Sequence, residues 1–293
     1  MITKTENLIA RAESLLERLA EYLPPSKQAI DWNALAWRWQ VLNGRGHLQA
    51  VPHPHQIRLE AIRNVDAQKA EVVRNTAQFV RGLPANNVLL TGARGTGKST
   101  LVKALLSEYA KDGLRIIEVD KQDLVALPEI VALLSERPER FIVFCDDLSF
   151  EATDPGYKAL KVVLDGSISV SSDNVLVYAT SNRKHLMPES MAENLATQYV
   201  GDEIRPGETS EEKISLSERF GLWLSFYAFD QEEYLNVAEY WLKQLGVSEF
   251  NASVRQAALM FSLTRGARSG RVAFQFARDY AGRMALNAQH PSK

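Results

Sequence analysis

Residues 92–99 read GARGTGKS, a glycine-rich run closing on a lysine and a hydroxyl that fits G-x-x-x-x-G-K-[ST]. The chemistry served by this spacing is phosphate binding. Gly92, Gly95 and Gly97 leave room for the backbone to approach a phosphate and permit φ > 0, so successive N–H groups can point into one pocket at the start of a helix. Ala93, Arg94, Thr96 and Thr100 complete the loop. Lys98 would reach the β- and γ-phosphates of a nucleotide, and the Ser99 hydroxyl would ligate Mg²⁺. Two other places carry groups suited to the same reaction. Asp146 and Asp147 follow the apolar run Phe141–Phe144, at the carboxyl end of an expected strand, where open α/β sheets place their ligands. One acid there can hold Mg²⁺ while a second orients an attacking water. Asn182 follows the run Asn174–Thr180; it can hydrogen-bond that water or the γ-phosphate, or it can merely make an Asx-turn.

Such groups need a parallel sheet to bring them together. Val88–Thr91 is the strand that feeds the loop, and an amphipathic helix follows from Leu101. Further strands are expected at Arg115–Val119, Phe141–Phe144, Asn174–Thr180 and within Ser215–Phe229, which Arg219 precedes. Helices are expected over Ile2–Leu23, Ala29–Leu42, Ile57–Phe79 and Tyr157–Leu164, with a loop over Asn43–Gln56. Trp32, Trp37 and Trp39 read as core or as a docking stripe. The segment Val65–Lys69 lies shortly before the loop, where many ATPases close over adenine. Residues 187–213 form an acidic stretch expected to be an exposed insertion. Three helical patterns, Glu232–Leu245, Ser253–Leu263 and Arg271–Leu286, make a small helical domain. The expected division is an N-terminal helical extension (1–56), an α/β nucleotide-binding domain (57–229) and a helical lid (230–293).

Composition narrows the function classes. With 293 residues, 45% hydrophobic and 24% charged, the chain is globular and long enough for a large core. A net charge of −2 gives no global basic field, so nucleic acid is not indicated. The lone Cys145 excludes an internal disulfide and a cysteine metal cluster, and its apolar setting makes it a buried hydrophobe. No signal peptide or membrane segment is read, so a cytoplasmic, soluble protein is expected. His53 and His55 read as loop residues, and Asp120–Asp123 lacks the leading Asn or Thr of a guanine-reading motif.

The stretches PANNVLLTGARGTGKSTLVKALL, FIVFCDDLSFE, YATSNRKHL, SLSERFGLW and ARSGRVAFQF occur in one order over residues 35–285. Together they resemble the AAA+ ATPases, and more narrowly a bacterial AAA+ family catalogued as a domain of unknown function. The resemblance implies an AAA+ P-loop NTPase with a parallel five-stranded αβα sheet. It implies ATP and Mg²⁺ as ligands, Lys98 and Ser99 at the phosphates and metal, and Asp146 as the metal-side acid. It places Asn182 at sensor 1, Arg219 at an arginine finger aimed into a neighbouring subunit of a homo-oligomer, and Arg271 at sensor 2, with Arg268 close by. Asp147 stands where many relatives have Glu, leaving Glu151 as an alternative water-orienting acid. The interval DKQDLVALPEIV carries no aromatic residue, which disfavours the usual threading grip on polypeptide. The expected activity is ATP hydrolysis driving remodelling or loading of a client the sequence does not name. A small-molecule or nucleotide kinase and a low-turnover binding switch are the alternatives.

Overall fold

The computed structural model describes residues 30–42, 44–150, 154–165, 173–183, 186 and 216–289, with positions 11 and 14 and two short strands further along. The expected helix Ile2–Leu23, apart from those two positions, and Glu151 lie outside the described residues. So does the acidic stretch 187–213, apart from β7 (Gln198–Val200) and β8 (Glu203–Arg205), which pair antiparallel.

Five strands are where the sequence puts them: β3 (Val88–Gly92), β4 (Leu114–Glu118), β5 (Arg140–Cys145), β6 (Val175–Ser181) and β9 (Leu222–Phe226). They lie parallel in the order β4-β5-β6-β3-β9. The apolar runs Val88–Leu90 of β3 and Phe141–Cys145 of β5 follow from burial on both faces. Val88, Leu90, Ile142 and Phe144 enter one core layer, while Leu89, Phe141, Val143 and Cys145 enter the other. Successive side chains of a strand point to opposite faces, so each strand supplies both layers.

The sheet has seven strands rather than five. Residues expected as helix and loop form a hairpin, β1 (Ala36–Leu42) and β2 (Arg45–Ala50), and β1 adds parallel to β4 with Arg38 opposite Glu118. The helical extension is therefore corrected over residues 36–50. The physical reason is period two: Trp37 and Trp39 are buried at 1% and 2% exposure while Arg38 between them is exposed. On a helix, residues two apart do not share a face. Gly46 completes the hairpin, because a Cβ there would lie 1.9 Å from the Trp39 ring. The tryptophans are thus core, with Trp37 against Trp32 and Phe141.

Helices α1 (Asp66–Val80), α2 (Lys98–Tyr109), α3 (Leu127–Leu134) and α4 (Pro155–Asp165) accompany the sheet. Helices α5 (Gln231–Gln244), α6 (Ala252–Arg265) and α7 (Gly270–Gln289) follow β9, as their periodicity predicts. Asp230 and Glu233 start α5 with a reciprocal capping box. These last helices share the first core layer: Tyr234, Leu235, Ala273 and Phe276 belong to the same buried cluster as Val88 and Leu101. That packing brings the start of α7 down to the loop between β3 and α2.

Candidate functional site

The phosphate loop is held open by its glycines. Gly92, Gly95 and Gly97 have φ of +116°, +75° and +100°, conformations that side chains with a Cβ rarely adopt. At Gly92 a Cβ would also stand 2.0 Å from the Phe226 carbonyl oxygen on β9. Gly92→Ala is expected to lower the stability of the whole sheet by about 1–3 kcal/mol. A urea melt checks this, and an unchanged midpoint would contradict it.

Lys98, the first residue of α2, is buried at 5% exposure. Its Nζ donates to the carbonyls of Gly92 (2.8 Å) and Ala93 (2.7 Å) and to Asn182 Oδ1 (3.3 Å). Burial lowers its ammonium from 10.5 to about 8; Asp147 and Asp146 oppose the shift, whereas Arg271 and Arg94 add to it. Ser99 Oγ donates to Asp146 Oδ1 at 2.6 Å.

The two acids emerge where β5 ends. The β5–β6 register sets Cys145 opposite Ala179, which carries Asp146 and Asp147 alongside Thr180. Thr180 Oγ1 donates to Asp146 Oδ1 at 2.5 Å and accepts the Asp147 backbone N–H at 2.9 Å. Asp147 is left-handed, φ +52°, a region Asp tolerates better than most residues. Asn182 Nδ2 donates to Asp147 Oδ1. Two hydroxyls, of Ser99 and Thr180, and the Asn182 amide thus hold the two carboxylates. Beyond Asp147, the Leu148 N–H donates to the Thr180 carbonyl at 2.7 Å.

These groups line one cavity of ≈ 730 Å³, together with Arg94, Thr96, Thr100 and Arg271. Of the two arginines that the resemblance offers for sensor 2, Arg271 lines it and Arg268 does not. Arg219 lies elsewhere: its Nε donates to Asp165 at the carboxyl end of α4. The adenine-side expectation shifts along the chain. Ile57, Ile62 and Arg63 line the cavity rather than Val65–Lys69, and Gln68 is occupied with the Ser225 carbonyl at 2.9 Å. His55, expected as an ordinary loop residue, lines it too. From α5 and α7 come Val237, Trp241 and Phe274, the last two in edge contact with centroids 4.7 Å apart. Thr180, Trp241 and Phe274 escape a reading of the sequence, since a threonine in a strand and aromatics on amphipathic helices carry no signal of a site.

The residues present fit a magnesium nucleotide. The loop backbone is clear where a Cβ would block it, and a hydroxyl and a carboxylate meet 2.6 Å apart beside a buried ammonium. No group of three His, Cys, Asp or Glu able to hold a metal occurs among the described residues. A divalent ion here would share its coordination with phosphate oxygens, the usual habit of Mg²⁺. The flat aromatic and aliphatic wall suits a base, and the polar end suits phosphates.

Solved structures of other proteins resemble the chain as a whole. A replication initiator DnaA bound to AMPPCP and single-stranded DNA superposes with TM-score 0.50 at 16% identity, over 75% of this chain and 63% of that one. A Thermotoga maritima RuvB mutant gives 0.47 at 16% identity over 75% and 62%, and AMPPCP-bound DnaA from Aquifex aeolicus gives 0.48 at 16% over 74% and 62%. This chain therefore spans under two thirds of the length of those structures, and the likeness to the first shows the fold alone, an α/β fold with a mostly parallel sheet. Comparison with curated proteins gives no significant match. A family model described as "Protein of unknown function (DUF815)" matches residues 32–284. Matched over nearly all of its length, the chain belongs to the DUF815 family.

Proposed function

We propose that this protein binds and hydrolyses ATP as a remodelling or loading ATPase, working as a head-to-tail homo-oligomer on a client of its own. The observation that carries the reading is convergence: Lys98, Ser99, Asp146, Asp147, Asn182 and Arg271, from four separate segments, line one cavity. Lys98 and the loop N–H groups bind the phosphates. Ser99 and Asp146 hold Mg²⁺, which neutralises charge developing on the phosphoryl oxygens. Asn182 steadies Asp147, whose other carboxylate oxygen takes the proton of the attacking water. Arg271 reaches the terminal phosphate from the lid, taken as residues 230–293. Arg219 acts on the site of the next subunit, in keeping with its place outside its own cavity.

Release of free phosphate from ATP by the full chain tests the reading. Appearance of a phosphorylated small molecule in its place would mean a kinase, and no turnover with intact binding would mean a switch. One observation disfavours threading of a polypeptide. The segment after β4 is a short helical turn, Lys121–Ala126, tied down by buried Leu124 and by the Lys121–Asp154 ion pair at 3.5 Å. A segment so anchored makes a poor moving grip.

A pH dependence follows from Lys98. Its folded value of about 8 lies below the ordinary 10.5, so between the two the unfolded chain holds more protons and stability rises with pH as the buried charge is lost. Phosphate binding needs the ammonium. Above pH 8, nucleotide binding should therefore take up a proton, visible as a binding enthalpy that changes with the ionisation heat of the buffer. Buffer-independent enthalpy at pH 9 would contradict this.

A further inference from the structure

Arg94 stands at the exposed turn of the phosphate loop and lines the same cavity as Lys98 and Arg271. The phosphate-loop pattern asks only for glycines, a lysine and a hydroxyl, so any residue type is compatible with position 94. Here it is an arginine. Among the described residues its guanidinium makes no ion pair or hydrogen bond, whereas Lys98 is already engaged by two carbonyls and Asn182.

The backbone on either side of Arg94 is fixed. The Ala93 N–H donates to the Phe226 carbonyl at 2.9 Å. Gly95 is pressed against the lid so closely that a Cβ would lie 2.8 Å from Ser269 Oγ and 3.4 Å from the Arg271 Cβ. A Cβ on Gly270 would in turn lie 3.1 Å from the Gly95 carbonyl. Arg94 and Arg271 therefore flank a single contact between loop and lid. Two guanidiniums that line one cavity and have no ion pair among the described residues repel each other unless an anion lies between them.

We infer that Arg94 contacts the terminal phosphate of a bound nucleoside triphosphate, with Arg271, and is the group that separates triphosphate from diphosphate. The inference rests on the nucleotide-binding reading above. The loop amides, and Lys98 at the β-phosphate, satisfy the phosphates that both nucleotides share, so Lys98 bears on both affinities. A long planar guanidinium on the tip of the loop reaches past them, and its fork pairs with two oxygens of one phosphoryl group. A diphosphate leaves that fork in water at no cost, because Arg94 is exposed.

The experiment is equilibrium binding of Mg²⁺ with ADP and with a non-hydrolysable ATP analogue to the full chain, as wild type, Arg94→Ala, Arg94→Lys and Lys98→Ala. Arg94→Ala should lose about ten- to a hundredfold in triphosphate affinity, the worth of one hydrogen-bonded charge pair, and keep ADP affinity within about threefold. Arg94→Lys should recover part of the loss, as a point charge without the fork. Equal losses for both nucleotides, or no loss for either, would overturn the assignment of Arg94. If Lys98→Ala binds both nucleotides as tightly as wild type, the phosphate-loop reading itself fails, and the Arg94 assignment with it. Loss of both in Lys98→Ala without a triphosphate-selective loss in Arg94→Ala overturns only the latter.

Discussion

A Lys98→Ala protein is expected to remain folded and to bind ATP at least about a hundredfold more weakly, since each hydrogen bond between charged partners contributes ~1.5–3 kcal/mol and the ammonium would make more than one. Two features of the site separate this outcome from general damage. The ammonium is buried at 5% exposure and its charge is disfavoured there, so its removal relieves a desolvation cost. Against that, the Gly92 and Ala93 carbonyls each lose a donor. The two effects oppose each other, and the thermal midpoint should move by only a few degrees while affinity collapses. Calorimetric titration with ATP checks the first part and a thermal melt the second. A wild-type dissociation constant would remove Lys98 from the phosphates.

Arg219→Ala is expected to do the opposite: binding intact, turnover lost. An arginine finger is worth about 10³–10⁵ in rate, and this one is proposed to act only across a subunit contact. Wild-type turnover per chain should then rise with protein concentration, and that of Arg219→Ala should stay flat at the basal level. Mixing gives the sharper result. Lys98→Ala supplies fingers but no working site, and Arg219→Ala supplies sites but no fingers. A mixture of these two inactive proteins should recover part of the wild-type rate. Full turnover by Arg219→Ala alone, or a dead mixture, would end the idea of action between subunits.

Asp165 enters the same experiment. Its carboxylate pairs with Arg219 within the chain, so engagement of a neighbour exchanges one anion for another. Asp165→Ala is a natural companion variant, with the position of the concentration curve as its readout.

Why some of this was legible in the sequence and some was not has a physical answer in particular residues. Strands β3 and β5 announce themselves because burial on both faces demands continuous apolar runs such as Phe141–Cys145. The phosphate loop does so because its backbone conformations admit glycine almost alone. The hairpin was hidden by its composition: Trp, Arg, Gln and Leu suit either helix or strand, and only the two-residue spacing of Trp37 and Trp39 around Arg38 separates them. Thr180 could not be found from its own neighbourhood. Its role comes from the register of β6 against β5, which no local pattern records. The base-side wall is harder still, because Ile62, Trp241 and Phe274 lie on three segments that only tertiary packing brings together. Asn182 was ambiguous between a turn and a site. Its bonds to both Lys98 and Asp147 show which partners it takes.

The distribution of the five tryptophans gives the molecule an optical property. Trp37 and Trp39 are buried in the sheet, the Trp32 ring lies tilted against that of Trp37, and Trp223 donates its indole N–H to Thr91 at 2.9 Å. Trp241 alone among them lines the cavity. A base settling on that wall would change the surroundings of one indole and leave the other four as they were. Intrinsic emission thus divides into a constant background, which reports the sheet, and a single responsive fluorophore, which reports occupancy.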